Sequence, residues 1–164
     1  MAGKGRKGTD PFCIKGKIEQ QTIFESRHFY ALYDIRPVVP GHCLLVPKRH
    51  VLDMMELTVA ETKDFHRIAG KVIPVLLKEY SREERSYDLT AQIGPYSGRT
   101  VKHLHFHVLP RGKRDEYQKR NVHIYLDIES NRTNLLLNIK EEVRKLRKAL
   151  GYRQAQRAGK RRAR

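Results

Sequence analysis

The chain has 164 residues, enough for one domain with a real hydrophobic core. It carries a formal charge of +16 and no apolar run of membrane-spanning length, and residues 1 to 10 lack the apolar segment of a secretory signal, so a soluble intracellular protein is expected. Its two cysteines, Cys13 and Cys43, stand in no paired metal-ligand spacing, which argues against a disulfide framework and a zinc finger.

Residues 1–10 are rich in Gly and Lys and read as a disordered basic extension. Gln21 to Glu25 and Phe29 to Ile35 read as two strands joined at Ser26-Arg27-His28, a short polar hairpin connection. Two prolines in Arg36-Pro-Val-Val-Pro-Gly41 restrict the backbone and mark a turn-rich passage. His42 to Pro47 follows as a compact apolar strand, with Cys43 as a small core residue. Thr58-Val-Ala-Glu61 is a capping box, in which the Thr hydroxyl and the Glu carboxylate each satisfy an orphaned N–H at the start of a helix. Phe65, Ile68, Ala69, Val72 and Leu76 give that helix one buried stripe, and Pro74, lacking an amide donor, should bend it or end its regular part. Tyr87 to Ile93 is the next strand, and Gly94-Pro-Tyr-Ser-Gly98 is a loop leading onward.

The stretch from Thr100 to Arg111 holds His103, His105 and His107 at alternate positions. On an extended strand this puts three imidazoles on one face and Leu104, Phe106 and Val108 on the other. A solvated strand face more commonly carries Lys, Thr, Glu or Ser, so three histidines in five residues mark a chemical face. Neutral imidazoles so placed can bind a divalent metal or act on a phosphate by nucleophilic and acid–base chemistry, and spacing alone leaves both open. Any zinc would have to come from the histidines.

Gly112 to Val122 is dense in charge and reads as a loop. From Thr133 to Leu150, Leu136, Ile139, Val143, Leu146 and Leu150 follow helical spacing up to a natural stop at Gly151, a stripe suited to docking on the sheet or on a partner subunit. The organisation expected is a basic extension over residues 1–10, a single domain over 11–150 and a basic tail over 151–164. The fold class is α+β, a mainly antiparallel sheet of about five strands with a central helix and a C-terminal helix. The basic body suits a polyanionic ligand such as a nucleotide polyphosphate, and the basic ends suit contact with RNA or an import receptor.

The segment His103-Leu-His105-Phe-His107-Val-Leu, with Arg36-Pro-Val-Val-Pro-Gly-His42 and Gly98-Arg-Thr-Val-Lys-His103, resembles the histidine triad (HIT) superfamily of nucleotide hydrolases and transferases. Within it the likeness is to the fragile histidine triad branch, over about Phe12 to Arg111. The resemblance implies a HIT-like fold, a homodimer, and hydrolysis of dinucleoside polyphosphates such as diadenosine triphosphate at the α-phosphate through a covalent nucleotidyl-histidine. It implies that His105 is the nucleophile, that His107 contacts the phosphate and assists the leaving group, that His103 supports the nucleophile and that His42 completes the polar face. It further implies phosphate contacts from Gln92 and Thr100, a ribose contact from Asp34, and a base pocket lined by Phe12, Leu32 and Leu44. No tightly bound cofactor is implied; magnesium bound through the substrate phosphates is. Zinc-bearing relatives use additional ligands without an evident counterpart in this sequence, and no metal ligands are assigned.

Two departures matter. The dinucleoside-triphosphate hydrolases usually carry Asn where this chain has Asp34, and Gln where it has Arg99. Asp34 is the choice of the neighbouring nucleoside phosphoramidase branch, whereas Arg99 adds a fixed charge suited to a second phosphate. The alternatives are therefore a nucleoside phosphoramidate hydrolase and a nucleotide-binding signalling module with slow turnover. The expected compartment is the cytoplasm, with Lys160-Arg-Arg-Ala-Arg164 also admitting nuclear entry, and no membrane association is expected.

Overall fold

The computed structural model describes residues 10–81, 85–112 and 138–153. Five strands form one antiparallel sheet in the order β1 (Thr22–Glu25), β2 (Phe29–Tyr33), β3 (Cys43–Pro47), β5 (Phe106–Arg111), β4 (Ser86–Ala91). Among the described residues three α-helices accompany it: α1 (Lys15–Gln21), α2 (Val59–Leu76) and α3 (Ile139–Leu150). The α+β sheet-and-helix architecture is the expected one.

Strand alternation divides the apolar residues between two faces. Phe29, Ala31, Tyr33, Cys43, Leu45, Phe106 and Val108 join Ile68, Val72 and Leu76 of α2 and Val143, Leu146 and Leu150 of α3 in the main core. Each fully buried Leu or Ile there contributes about 1.5–3 kcal/mol. On the opposite face Leu32, Leu44 and Val46 pack with Ile18 of α1, flanked by Phe12 and Tyr30. Arg147 of α3 donates to the carbonyls of Thr22 and Glu19, both at 2.7 Å, tying the last helix to α1 and β1.

The structure differs from the sequence expectation at several element ends. Helix α1 is absent from that reading because Lys15-Gly16-Lys17 carries no apolar stripe; the buried Ile18 and the bond from Thr22 Oγ1 to its carbonyl at 2.7 Å hold it in place. Pro74 neither ends α2 at once nor leaves it regular for long, since Leu76 is followed by a π-type turn over Leu77–Ser81. The histidine strand begins only at Phe106, because residues 101–103 bend and the Leu104 N–H leaves the sheet to donate to Val51 O at 2.7 Å. Helix α3 starts at an Asn138 cap and stops at Gly151 in the left-handed region (φ 64°). Leu136 and the rest of 133–137, the expected loop over 113–122, residues 1–9 and the tail over 154–164 lie outside the described residues. Asp10, counted with the extension in the sequence, is instead a buried part of the fold.

The capping box at Thr58 forms as expected, and its Glu61 is further gripped by Arg49, whose Nε and Nη2 reach separate carboxylate oxygens at 2.8 Å. That guanidinium holds the Glu61 carboxyl at about 2, against an ordinary 4.5. A depressed carboxylate contributes stability above its ordinary value and loses it as pH falls through the folded one. Thermal melting of wild type and Glu61→Gln between pH 4.5 and 2 should therefore converge, the wild type losing its advantage as the pH falls.

Candidate active site

Strand register aligns Thr22, Leu32, Leu44, His107 and Thr90 in one row across all five strands. Residues directly opposite in an antiparallel sheet share a face, so His107 stands on the side of the small Leu32–Leu44 cluster, away from the main core. The His105 ring lies 4.9 Å from that of His107 and 5.4 Å from that of Phe12. The expected base-pocket residues Phe12, Leu32 and Leu44 thus sit together beside two histidines.

Hydrogen bonds fix where the imidazole protons reside. His105 Nδ1 is 2.7 Å from the His103 carbonyl and donates to it, which leaves the lone pair on Nε2. Burial pushes the His105 pKa below its usual 6.5, the carbonyl bond opposing this only in part, so the ring is neutral at physiological pH. His42 is fully buried; its Nδ1 accepts the Val38 N–H at 3.3 Å, so its Nε2 carries hydrogen and donates to His107 Nδ1 at 2.9 Å. The His107 proton is therefore on Nε2. Asp34 stands behind this pair, with Oδ2 3.6 Å from His42 Nε2 and Oδ1 accepting the Arg36 N–H at 2.7 Å.

Gly41 makes this turn possible. Its φ of +82° lies in the left-handed region, and its N–H donates to the Tyr33 hydroxyl at 3.1 Å. A Cβ there would fall 2.4 Å from the Tyr80 ring. Gly41→Ala should cost about 2–4 kcal/mol from backbone strain and overpacking together, read as a lower urea midpoint.

The remaining expected contacts lie on the approach to β5. Gln92 follows β4 and folds against Gly98, whose added Cβ would be 3.0 Å from Gln92 Nε2. Arg99 donates from Nη1 to the Leu52 carbonyl at 2.8 Å, and its charge opposes protonation of His105. Thr100 is exposed.

His103 faces a second group of side chains. Its Nε2 lies 2.9 Å from Pro47 O and its Nδ1 2.7 Å from Asp10 Oδ2. The same Asp10 oxygen is 2.8 Å from His50 Nδ1 and 3.2 Å from Cys13 Sγ. One donor atom from each of Asp10, Cys13, His50 and His103 lies within 4.8 Å of all the others. The sequence offers the histidines as zinc donors, and the fold sets a carboxylate and a thiol beside two of them. Oxygen, sulfur and two nitrogens fit a tetrahedral zinc-type ion. The only sequence signal was the Asp10-Pro-Phe-Cys13 spacing, since His50 and His103 join it from distant segments.

A neutral histidine on a sheet face beside an apolar pocket is the arrangement of a histidine triad fold. The chain belongs to the HIT domain family, which matches residues 15–114. It is 35% identical over 103 residues to the bis(5'-adenosyl)-triphosphatase of Saccharomyces cerevisiae, covering 62% of this chain and 49% of that protein. It is 31% identical over 124 residues to the asymmetrical bis(5'-nucleosyl)-tetraphosphatase of Schizosaccharomyces pombe, covering 76% of this chain and 66% of that one. The chain thus spans about half the length of the budding-yeast relative. The same fold occurs in a zinc-bound histidine triad family protein from Mycobacterium smegmatis (TM-score 0.66, 24% identity, 89% of this chain and 96% of that one).

Proposed function

We propose that this chain hydrolyses dinucleoside polyphosphates, such as diadenosine triphosphate, at the α-phosphorus through a nucleotidyl-His105 intermediate. The observation that carries this reading is the Nε2 lone pair of a buried, neutral His105 beside the Phe12–Leu32–Leu44 pocket. The curated names of the two yeast relatives support it. The Nε2 pair forms a P–N bond as the bridging P–O bond breaks, and the residual nucleotide departs with its oxygen hydrogen-bonded by His107 Nε2–H. Water then attacks the phosphorus, the P–N bond breaks, and nucleoside monophosphate leaves His105 neutral. His42 keeps His107 in the donating tautomer, and the His103 carbonyl keeps His105 in the attacking one.

The apolar residues hold the base, Asp34 the ribose side, and Gln92 and Thr100 the phosphates, while Arg99 meets the second phosphate and magnesium travels with the substrate. Among partners, a second copy is proposed at the edge strand β4, which exposes Tyr87 and Leu89. The basic tail is assigned to RNA or an import receptor, in a protein of the cytoplasm with access to the nucleus.

Asp34 favours a second reading, a nucleoside phosphoramidate hydrolase. Single-turnover cleavage with magnesium decides between them: diadenosine triphosphate should yield AMP and ADP with a kcat/KM at least about 10-fold above that for adenosine phosphoramidate. The reverse preference would move the chain to the phosphoramidase reading. Binding of AMP without cleavage of either would leave a nucleotide-binding module.

A further inference from the structure

We propose that Tyr33, Tyr80 and Glu142 are positioning residues: they form one directed chain of hydrogen bonds from helix α3 to the Gly41 amide, which holds the 38–42 turn so that His42 keeps His107 in its donating tautomer. That His107 serves a leaving group rests on the function proposed above; the chain and its hold on the two imidazoles do not.

The chain has a fixed sense. At one end the Gly41 N–H can only donate, and it meets the Tyr33 hydroxyl at 3.1 Å. At the other end the Glu142 carboxylate can only accept, and it takes the hydrogen bond of the Tyr80 hydroxyl. The two phenols are bonded to each other between these ends. Each hydroxyl therefore accepts once and donates once, and a single orientation satisfies all four groups. Burial pushes both phenols above the usual tyrosine range, so neither loses its proton near neutral pH. The packing is arranged around the same path. Tyr33 is fully buried in β2, and Tyr80 belongs to the π-type turn Leu77–Ser81 that follows α2. The Tyr80 ring lies against the bare Cα of Gly41, where any Cβ would collide with it. Lys145 of α3 stands 4.7 Å over that ring and 3.1 Å from Glu79, the residue before Tyr80. Helix α3 thus grips Tyr80 through two side chains, and Tyr80 backs Tyr33.

What the chain governs follows from the residue after Gly41. A glycine at φ +82° has no Cβ to confine it, so its place in the turn depends on what holds its N–H, and here that is the Tyr33 hydroxyl. The same turn carries the bond from His42 N–H to Val39 O at 3.1 Å and the longer one from Val38 N–H to His42 Nδ1 at 3.3 Å. The Val38 bond puts the His42 proton on Nε2, which faces His107 Nδ1 at 2.9 Å. If the turn relaxes, that long bond is the first to go. His42 can then carry its proton on Nδ1, and His107 is no longer held to one tautomer. The chain acts on chemistry through these two histidines, not by touching substrate.

The test uses the full chain. Nitrogen–proton NMR of the imidazole rings, without substrate, reads the tautomers, and steady-state cleavage of diadenosine triphosphate reads their consequence. In wild type His42 and His107 should each carry hydrogen on Nε2 alone. Tyr33→Phe, Tyr80→Phe and Glu142→Leu should each give mixed tautomers at both rings, lower kcat by about 5- to 20-fold and leave KM within about 2-fold. Glu142→Gln, whose side-chain carbonyl can still accept the Tyr80 hydroxyl, should keep the wild-type tautomers and a kcat within about 3-fold. Combining Tyr33→Phe with Tyr80→Phe should cost little more than either alone, because one chain is broken in each case. Wild-type tautomers in folded Tyr33→Phe and Tyr80→Phe would overturn the proposal. So would a Glu142→Gln as slow as Glu142→Leu, or losses that multiply in the double variant. A wild type that cleaves no diadenosine triphosphate, with the tautomers still shifting in the variants, would sink the hydrolase reading and leave the positioning chain standing.

Discussion

His105→Ala should reduce turnover of diadenosine triphosphate at least about 10³-fold and abolish any covalent nucleotidyl-protein, while AMP affinity stays within about 3-fold of wild type. The split follows from position. The ring provides the only attacking atom in the proposed sequence, and the apolar grip on a base comes from Phe12, Leu32 and Leu44. Acid quench with a radiolabelled substrate reads the adduct directly, and rapid mixing reads the rate. The pH profile supplies an independent check. Burial lowers the His105 pKa below 6.5, so the nucleophile stays unprotonated on the acid side of that value. The acidic limb of kcat/KM should accordingly fall below pH 6.5, and the residual rate of the variant should lack it. A mutant that still forms the adduct would assign the nucleophile elsewhere.

The second large effect concerns stability. Asp64→Ala should cost about 3–5 kcal/mol and lower the melting temperature by roughly 6–15 °C, read by calorimetry. Asp64 is 2% exposed on α2, and its Oδ2 accepts both the Ser26 hydroxyl and the His28 N–H at 2.7 Å. Burial alone would raise its pKa, but the Ser26 and His28 bonds, with the charges of His28 and Arg67, leave it below the ordinary carboxylate value. Truncation strands two donors at the β1–β2 turn and unties the hairpin from the helix. A loss under 1 kcal/mol would mean that water satisfies those donors equally well.

Much of this arrangement is legible in the sequence because it obeys local rules. The capping box at Thr58, the αL stop at Gly151 and the apolar rows of β2, β3 and β5 each depend on neighbours a few residues apart. The histidine signature is legible in the same way, and the fold sets His42 Nε2 2.9 Å from His107 Nδ1. What local rules could not provide was long-range assembly. In the sequence His50 is a lone histidine after a strand and Asp10 reads as part of a charged extension, until the fold joins both to His103 through the Asp10 carboxylate. The late start of β5 has the same origin, since Val51 captures the Leu104 amide from outside the strand pairing. Helix α1 was hidden for a different reason: with Gly16 at its start and one buried apolar residue, it is held by packing rather than by propensity.

Because neighbouring residues of β2 and β3 serve opposite duties, this sheet has no tolerance for a change of phase. Leu44 faces the pocket and Leu45 the core, while Leu32 and Ala31 divide in the same way. Inserting or deleting one residue inside either strand would turn core side chains toward the Leu32–Leu44 face and bury that face's own residues under α2. Length variation in this part of the chain is thus confined to the connections, and the 34–42 turn is a poor place for it, since Asp34, Gly41 and His42 all act there.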